Sequence, residues 1–563
     1  MSTQTSTDQP APIVTSRATP RPWFPVLWPL LLAGICAFIG HRNDDRGIFN
    51  SLVHAAIIFT VMGWAGWIIL RSGWSPSKRW GIALVMLGLL SVYYFQLSPL
   101  KAINNGDVGI VGWRWRWEDP DRELDATVLR PETDLDWQPT PSDYPSFLGN
   151  GFWAEVDDVT LDPDWASNPP QEIWRQRIGA GWSSFAVVGN YAVTQEQRDQ
   201  HELVTCYDIK TGDLLWTYAD NVRFDPGGGG SFGGVGPQAT PTIYDGSVYT
   251  HGATGIVNCL DAASGELLWT HDTVAEFEVE NLLWGKSASP IIVGETVVVS
   301  VGDAKANTLA EYSQEGNSLV AFDRISGDIV WQAGDRRSSY ATPVLATLAG
   351  TEQIIVVNED FVTSHRADDG LILWEHPWPG RSDANASTSQ PVPIGNDRVI
   401  LSKGYSIGSE LIRISNDVEQ WRSETIWKES SMKTKMCNVV IHDGFVYGLD
   451  DVNLECIELA SGIRQWKKRR RPSFGHGQIM LFGDVILMLT ETGELLLIEA
   501  TPEEYRELAT LQVLDPEQVT WNNPAFSSPY LLVRNAEEAA CYELPLRDSF
   551  SESVVEKEIA PSE

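Results

Sequence analysis

The chain has 563 residues, 43% of them hydrophobic and 21% charged, with 24 Trp; this composition builds a large core and excludes the disordered class. Its 41 Lys and Arg stand against 75 Asp and Glu, a net charge of −34, and a field of that sign repels phosphate backbones, which excludes nucleic acid as the partner. The six cysteines (Cys36, Cys206, Cys259, Cys437, Cys456, Cys541) show no CxxC and no metal-ligand spacing with His, so neither a disulfide framework nor a zinc site is expected.

Residues 1–22 are rich in Ser, Thr and Pro and read as a disordered tail. Three apolar stretches follow, 23–40, 51–70 and 80–100, without a Lys, Arg, Asp or Glu, each long enough as a helix to cross a hydrocarbon core of about 30 Å. Trp23, Trp28, Trp80, Tyr93 and Tyr94 crowd their ends, as interfacial belts do. The pattern predicts three transmembrane α-helices and a multi-pass integral membrane protein. The run Ala33 to Cys36 has the outline of a lipoprotein cleavage site, but Ile35 stands where a small residue is needed and two more apolar stretches follow, so the first stretch reads as a span. Five Lys and Arg flank the membrane on either side (Arg17, Arg21, Arg71, Lys78 and Arg79; Arg42, Arg46, Lys101, Arg114 and Arg116), and the positive-inside rule gives no orientation.

Residues 101–171 are rich in Asp and Pro and read as a linker. Their Trp113-Arg114-Trp115-Arg116-Trp117 run suits an interfacial anchor or an edge strand with one apolar face. From residue 172 to 545 the chain repeats itself. Asp208…Gly212…Trp216 recurs as Asp261…Gly265…Trp269 and Asp323…Gly327…Trp331, with looser copies at Gly370…Trp374 and Gly462…Trp466. Asp caps a hairpin turn, Gly supplies the positive φ, and Trp four residues on covers the sheet edge. A second shared element, as in Thr240-Pro241…Asp245-Gly246, completes strand, turn, strand, strand, turn, strand: one four-stranded antiparallel propeller blade. Units start near Trp182, Gln238, Ser287, Tyr340, Thr388, Met436, His476 and Trp521. An all-β, eight-bladed β-propeller is therefore predicted. The last unit lacks its Gly-x-x-x-Trp strand, whereas Glu172–Arg175 stands unpaired before the first, so the two ends are expected to share a blade. Residues 546–563 read as an acidic, disordered tail.

With Cys206…Trp216, Cys259…Trp269 and Ala321…Trp331, and looser forms at Ser364…Trp374 and Cys456…Trp466, the repeats resemble the tryptophan-docking motif of the PQQ-type, quinoprotein-like β-propellers. Within that family the chain is most similar to the BamB-like, PQQ-binding-like proteins. The resemblance, with the acidic propeller, implies a propeller outside the cytoplasm, on the periplasmic side, acting as a binding or scaffolding module for an envelope protein or an extended ligand. The alternative it implies is an oxidoreductase using PQQ and calcium on alcohols or sugars. Neither the adjacent-cysteine pair nor the Trp-Asp-Tyr-Asp signature of the alcohol dehydrogenases occurs here. These departures weigh against an enzyme and set the expectation of no bound cofactor and no metal.

Candidate site residues follow from propeller geometry, because inner strands converge on a central channel. One repeat position reads Ser184, Thr240, Ser289, Thr342, Gln390, Asn438, Gln478 and Asn523, all polar and uncharged. Two residues earlier stand the unit-opening residues, of which Trp182, Tyr340, His476 and Trp521 are candidate ligand contacts, and Lys286 precedes its unit by one. The polar ring suits ordered water or a small ligand or peptide in the channel. Glu196-Gln197-Arg198 breaks an apolar strand and suits a solvated hairpin edge or a carboxylate for a cation. Gly227–Gly230 reads as a flexible loop over the channel, since no Lys-Ser/Thr of a phosphate loop follows.

Overall fold

The computed structural model describes residues 24–42, 46–71, 74–92, 100–104, 110–115, 123–131, 135–151, 153–156, 158–226, 234–304, 313–380, 386–418 and 420–547. The expected terminal tails, Tyr93, Tyr94 and the Gly227–Gly230 loop lie outside these residues, apart from 546 and 547. The chain forms two compact units, 1–101 and 102–563.

In the first unit the apolar stretches are helical: α1 Phe24–Arg42, α2 Arg46–Arg71 and α3 Pro76–Val92. Among the described residues, however, no helix is long and apolar enough to cross a membrane. This corrects the expectation of three spans, and with it that of a multi-pass integral membrane protein. At about 1.5 Å per residue the 17 described residues of α3 fall short of the hydrocarbon core. α1 contains Pro29, which removes a helix hydrogen bond, and α2 begins on Arg46 and carries Asn50, Ser51 and His54 in its first turns.

Strands Leu100–Asn104 and Ile110–Trp115 pair as a two-stranded sheet, which takes the first part of the Trp/Arg run as a strand; Arg116 and Trp117 lie outside the described residues. Residues 144–165 pack on the blades rather than hanging free. Tyr144, Leu148, Leu161 and Trp165 join a core cluster with Phe482, Leu497 and Phe526, and Glu155–Val156 adds a parallel strand to blade 7.

Eight antiparallel four-stranded sheets follow. Blades 1 to 7 run in sequence, with innermost strands at Ala186–Val188, Thr242–Tyr244, Ile291–Val293, Val344–Leu348, Val392–Ile394, Val440–His442 and Gln478–Phe482. Blade 8 takes Ala525–Ser527, Tyr530–Arg534 and Glu538–Glu543 from the C-terminal end and its outer strand, Gln171–Arg177, from before blade 1, with Cys541 opposite Trp174. The ring thus closes as the unpaired Glu172–Arg175 segment predicts.

Each motif residue has a local and a distant task. Asp208 accepts from the N–H groups of Lys210 (2.8 Å) and Thr211 (2.9 Å), and Gly212 adopts φ 77°, so the turn sets the hairpin register. The tryptophan reaches forward to the next blade. Trp216 Nε1 donates to Ala262 O (2.9 Å), and its ring fills the space where a side chain on Gly265 would stand. The Trp174 ring likewise covers Gly212, Trp269 covers Gly327, Trp331 covers Gly370 and Trp427 covers Gly462. The glycine is therefore required twice, for its backbone angle and for the neighbour's indole.

Candidate functional site

The innermost strands carry a belt of hydrogen bonds. The Ser184 N–H donates to Thr240 Oγ1 (3.1 Å), the Thr240 N–H to Ser289 Oγ (2.9 Å), the Ser289 N–H to Thr342 Oγ1 (3.0 Å) and the Gln390 N–H to Asn438 Oδ1 (2.8 Å). Gln390 Nε2 reaches back to Thr342 O (3.5 Å), Gln478 Nε2 bridges Met436 O (2.5 Å) and Trp521 O (2.8 Å), and Ser184 Oγ donates to Asn523 O (2.6 Å). Every pair of neighbouring blades is joined, and the polar, uncharged character of seven of these eight positions follows from pairing buried backbone groups, Asn523 contributing only its own carbonyl. Thr240→Val keeps the shape and strands the Ser184 N–H; an expected loss of about 1–3 kcal/mol is read by urea denaturation.

Seven of the eight unit-opening residues, two positions earlier, face a cavity of about 130 Å³ at the centre of the ring. It is lined by Trp182, Gln238, Ser287, Tyr340, Thr388, Met436 and Trp521, by Thr342, Asn438 and Asn523 of the belt, and by Phe147, Trp284 and Tyr405. Ring closure brings Trp182 and Trp521 together, their ring centroids 4.7 Å apart, and Trp284 lies 5.4 Å from Tyr340. Gly234, at φ 80°, packs against the Trp182 indole, where a side chain would collide. Gln238 Nε2 donates to Trp284 O (2.7 Å) and fixes that segment. The buried indole N–H groups of Trp284 and Trp521 have no hydrogen-bond partner, and burial pushes the Tyr340 hydroxyl well above its ordinary value. The cavity is aromatic, with two donors facing no acceptor.

Ser184, Thr240, Ser289, Gln390 and Gln478 belong to the belt and do not line the cavity, and neither does His476, which is buried with Nδ1 unpartnered. Lys286 is buried away from the cavity, where Nζ donates to Val301 O, to Gly302 O (3.2 Å) and to Ser338 Oγ (3.4 Å); burial lowers it to about 7. Phe147, Trp284 and Tyr405 escape the repeat arithmetic because they arrive from segments outside the aligned strands. The only sequence signal for Trp284 is its place two residues before Lys286.

Glu196 is neither a hairpin edge in solvent nor a free carboxylate. It is fully buried and accepts from Gly179 N–H, Tyr207 OH (2.6 Å) and Arg198 (3.0 Å). Burial alone would raise its carboxyl, but Arg198 and Arg534 more than offset this and hold it below its ordinary value. Arg534, also fully buried, comes from blade 8 and donates to Thr194 Oγ1 and Gly179 O, both at 2.8 Å. The charges lock blade 8 to blade 1.

The donor set suits a planar group with acceptor oxygens. It does not suit calcium, since no carboxylate lines the cavity and, among the described residues, no three His, Cys, Asp or Glu converge.

Comparison with known proteins adds chemistry to the fold. The dehydrogenase subunit of a quinone alcohol dehydrogenase from Komagataeibacter europaeus is 20% identical over 293 residues, covering 49% of this chain and 34% of that one. The quinoprotein alcohol dehydrogenase PedH of Pseudomonas putida is 25% identical over 214 residues, covering 35% and 33%. The solved quinohemoprotein alcohol dehydrogenase of Comamonas testosteroni superposes with a TM-score of 0.50 at 12% identity, covering 73% of this chain and 82% of that one, and shares the fold. The chain spans about a third of the length of these two curated relatives. The expectation of no cofactor is corrected by them: missing cysteine and Trp-Asp-Tyr-Asp signatures do not separate this chain from proteins named as quinone enzymes. The family described as outer membrane protein assembly factor BamB matches residues 166–311 and 200–468, more than half of the chain. Together with the ring of Trp–Gly docks, this shows that the chain belongs to that PQQ-type propeller family.

Proposed function

We propose that the central cavity binds a quinone cofactor of the pyrroloquinoline type and that the chain serves the oxidation of an alcohol. The observation that carries this reading is the pair of buried, unpartnered indole N–H groups of Trp284 and Trp521 in an aromatic cavity. The relatives named as quinone alcohol dehydrogenases support it and favour it over the scaffold expectation. When bound, such a cofactor supplies a two-electron acceptor.

The chain's own residues would bind and orient the ring. Trp182 and Trp521, tilted at 41° to one another, offer apolar faces for stacking. The Trp284 and Trp521 N–H groups donate to acceptor oxygens at the ring edge, which would repair two unpaired buried donors. Phe147 and Met436 exclude water from the same cavity. No step is assigned to calcium, because the lining does not fit it.

Titration of the purified chain with pyrroloquinoline quinone, followed by quenching of tryptophan fluorescence and by calorimetry, tests this. Saturable binding is expected, weakened about tenfold or more in Trp521→Ala, which removes a stacking face and a donor worth about 1.5 kcal/mol or more together. Dye-linked oxidation of primary alcohols by the loaded chain is the second readout. Absence of quinone binding by a folded chain would overturn the reading.

A further inference from the structure

A second polar centre lies between blades 1 and 2, and none of its residues lines the channel cavity. Glu202, on strand His201–Asp208, stands directly opposite Asp220, at the end of strand Leu214–Asp220. Both carboxylates face blade 2: Glu202 Oε2 accepts from the Ala253 N–H (3.3 Å), and Asp220 Oδ2 accepts from Asn258 Nδ2 (2.7 Å). Gly252 makes room for the first of them, since a β-carbon there would collide with Glu202 Oε1. Neither carboxylate has a Lys or Arg partner among the described residues. Two like charges side by side, Glu202 buried and Asp220 half-buried, favour a proton or a cation between them.

Two further oxygens decide between these. Asn258 is 2% exposed, and while its amide nitrogen is held by Asp220, its Oδ1 is buried without a partner. Thr250 faces Asn258 in the ladder, is fully buried, and has an unpartnered Oγ1. A shared proton would quiet the carboxylates but leave the Asn258 oxygen, an acceptor only, with nothing to accept. A cation between the two blades would be offered oxygens by both register pairs, Glu202 with Asp220 and Thr250 with Asn258. We propose that Glu202, Asp220, Asn258 and Thr250 form a site for a hard divalent cation, of which Ca²⁺ is the type, at the joint between blades 1 and 2. Carboxylate, amide and hydroxyl oxygens are the ligands such an ion selects, and Ca²⁺ tolerates their irregular placement better than Mg²⁺ does. The site does not rest on the quinone reading.

The test is calorimetric titration of the chelator-stripped full chain with Ca²⁺, alongside Tb³⁺ luminescence. The Tyr218 hydroxyl donates to Asp220 Oδ1 (3.3 Å), so its phenol would sensitise a lanthanide held there. Expected are one saturable site, tyrosine-sensitised Tb³⁺ emission displaced by Ca²⁺, and a raised melting temperature with the ion. Asp220→Asn should weaken binding by about 100-fold and the shape-preserving Thr250→Val by about tenfold, while Trp521→Ala in the channel leaves it unchanged. Absence of binding to the folded wild-type chain, or affinity unaltered by Asp220→Asn but lost in Trp521→Ala, overturns the site. So would a melting temperature indifferent to Ca²⁺ in the wild type and raised by Asp220→Asn, the signature of a shared proton.

Discussion

Deleting Gln171–Arg177 is expected to prevent the propeller from folding as a stable monomer. The segment is the outer strand of blade 8, hydrogen-bonded along Glu538–Glu543, and Trp174 donates from Nε1 to Ile209 O (2.8 Å) while covering Gly212 of blade 1. Losing the buried indole alone costs about 3–5 kcal/mol, against a total stability of about 5–15 kcal/mol, and the ladder bonds and the Arg175–Glu538 ion pair at 2.7 Å go with it. The deletion also bares a sheet edge that templates aggregation. Size-exclusion chromatography and thermal denaturation check this, with Trp174→Ala as the graded version, expected to fold and to lose about 3–5 kcal/mol. A deletion that stays monomeric with an unchanged melting temperature would show that the first and last blades are held by the inner belt alone.

The second large effect lies in the buried charges at the same joint. Glu196→Gln should cost about 3–5 kcal/mol at neutral pH, because it leaves Arg534 and Arg198 without the carboxylate that compensates them. The pH dependence follows from the direction of the shift. Glu196 is held below its ordinary value of 4.5 in the folded chain, so the stability it contributes is present above that value and is lost as the pH falls through the lowered one. The gap between wild type and variant in urea denaturation should be full at pH 7 and narrow in acid. A gap of equal size at both pH values would mean that packing, not charge, carries the loss.

The ring was legible because its signals are local and repeated. Asp, Gly and Trp recur at fixed spacing since one turn and one dock impose them together, and Trp182 and Trp521 could be placed side by side from unit order alone. Blade 5 shows the limit of that logic. Its outer strands are ten residues long, with the hairpin moved out to Asp417–Gln420, so Ser423 stands where the motif has glycine. Trp427 nevertheless docks on Gly462 and donates from Nε1 to Leu459 O (2.9 Å). The fate of Glu196 was hidden for another reason: its partner Arg534 lies far along the chain, and no local pattern joins them. The belt escaped as a belt because a run of polar positions does not say whether water, a ligand or the next backbone will use them. The apolar helices were read from hydropathy, which does not weigh the proline inside α1 or the polar opening of α2.

The forward reach of each tryptophan gives the ring a direction. Trp174 covers Gly212, Trp216 covers Gly265, Trp269 covers Gly327 and Trp331 covers Gly370, so blades 1 to 3 each offer an indole on one flank and a glycine seat on the other. Contacts of this head-to-tail kind close only by completing a circle, and any shorter arc keeps one unused flank of each sort. An arc of blades 3 to 5 would begin at the empty seat of Gly327 and end at the bare indole of Trp427. Two such arcs would each present to the other an indole and a seat of the kinds that hold the intact circle together, so the cut ring carries its own means of end-to-end association.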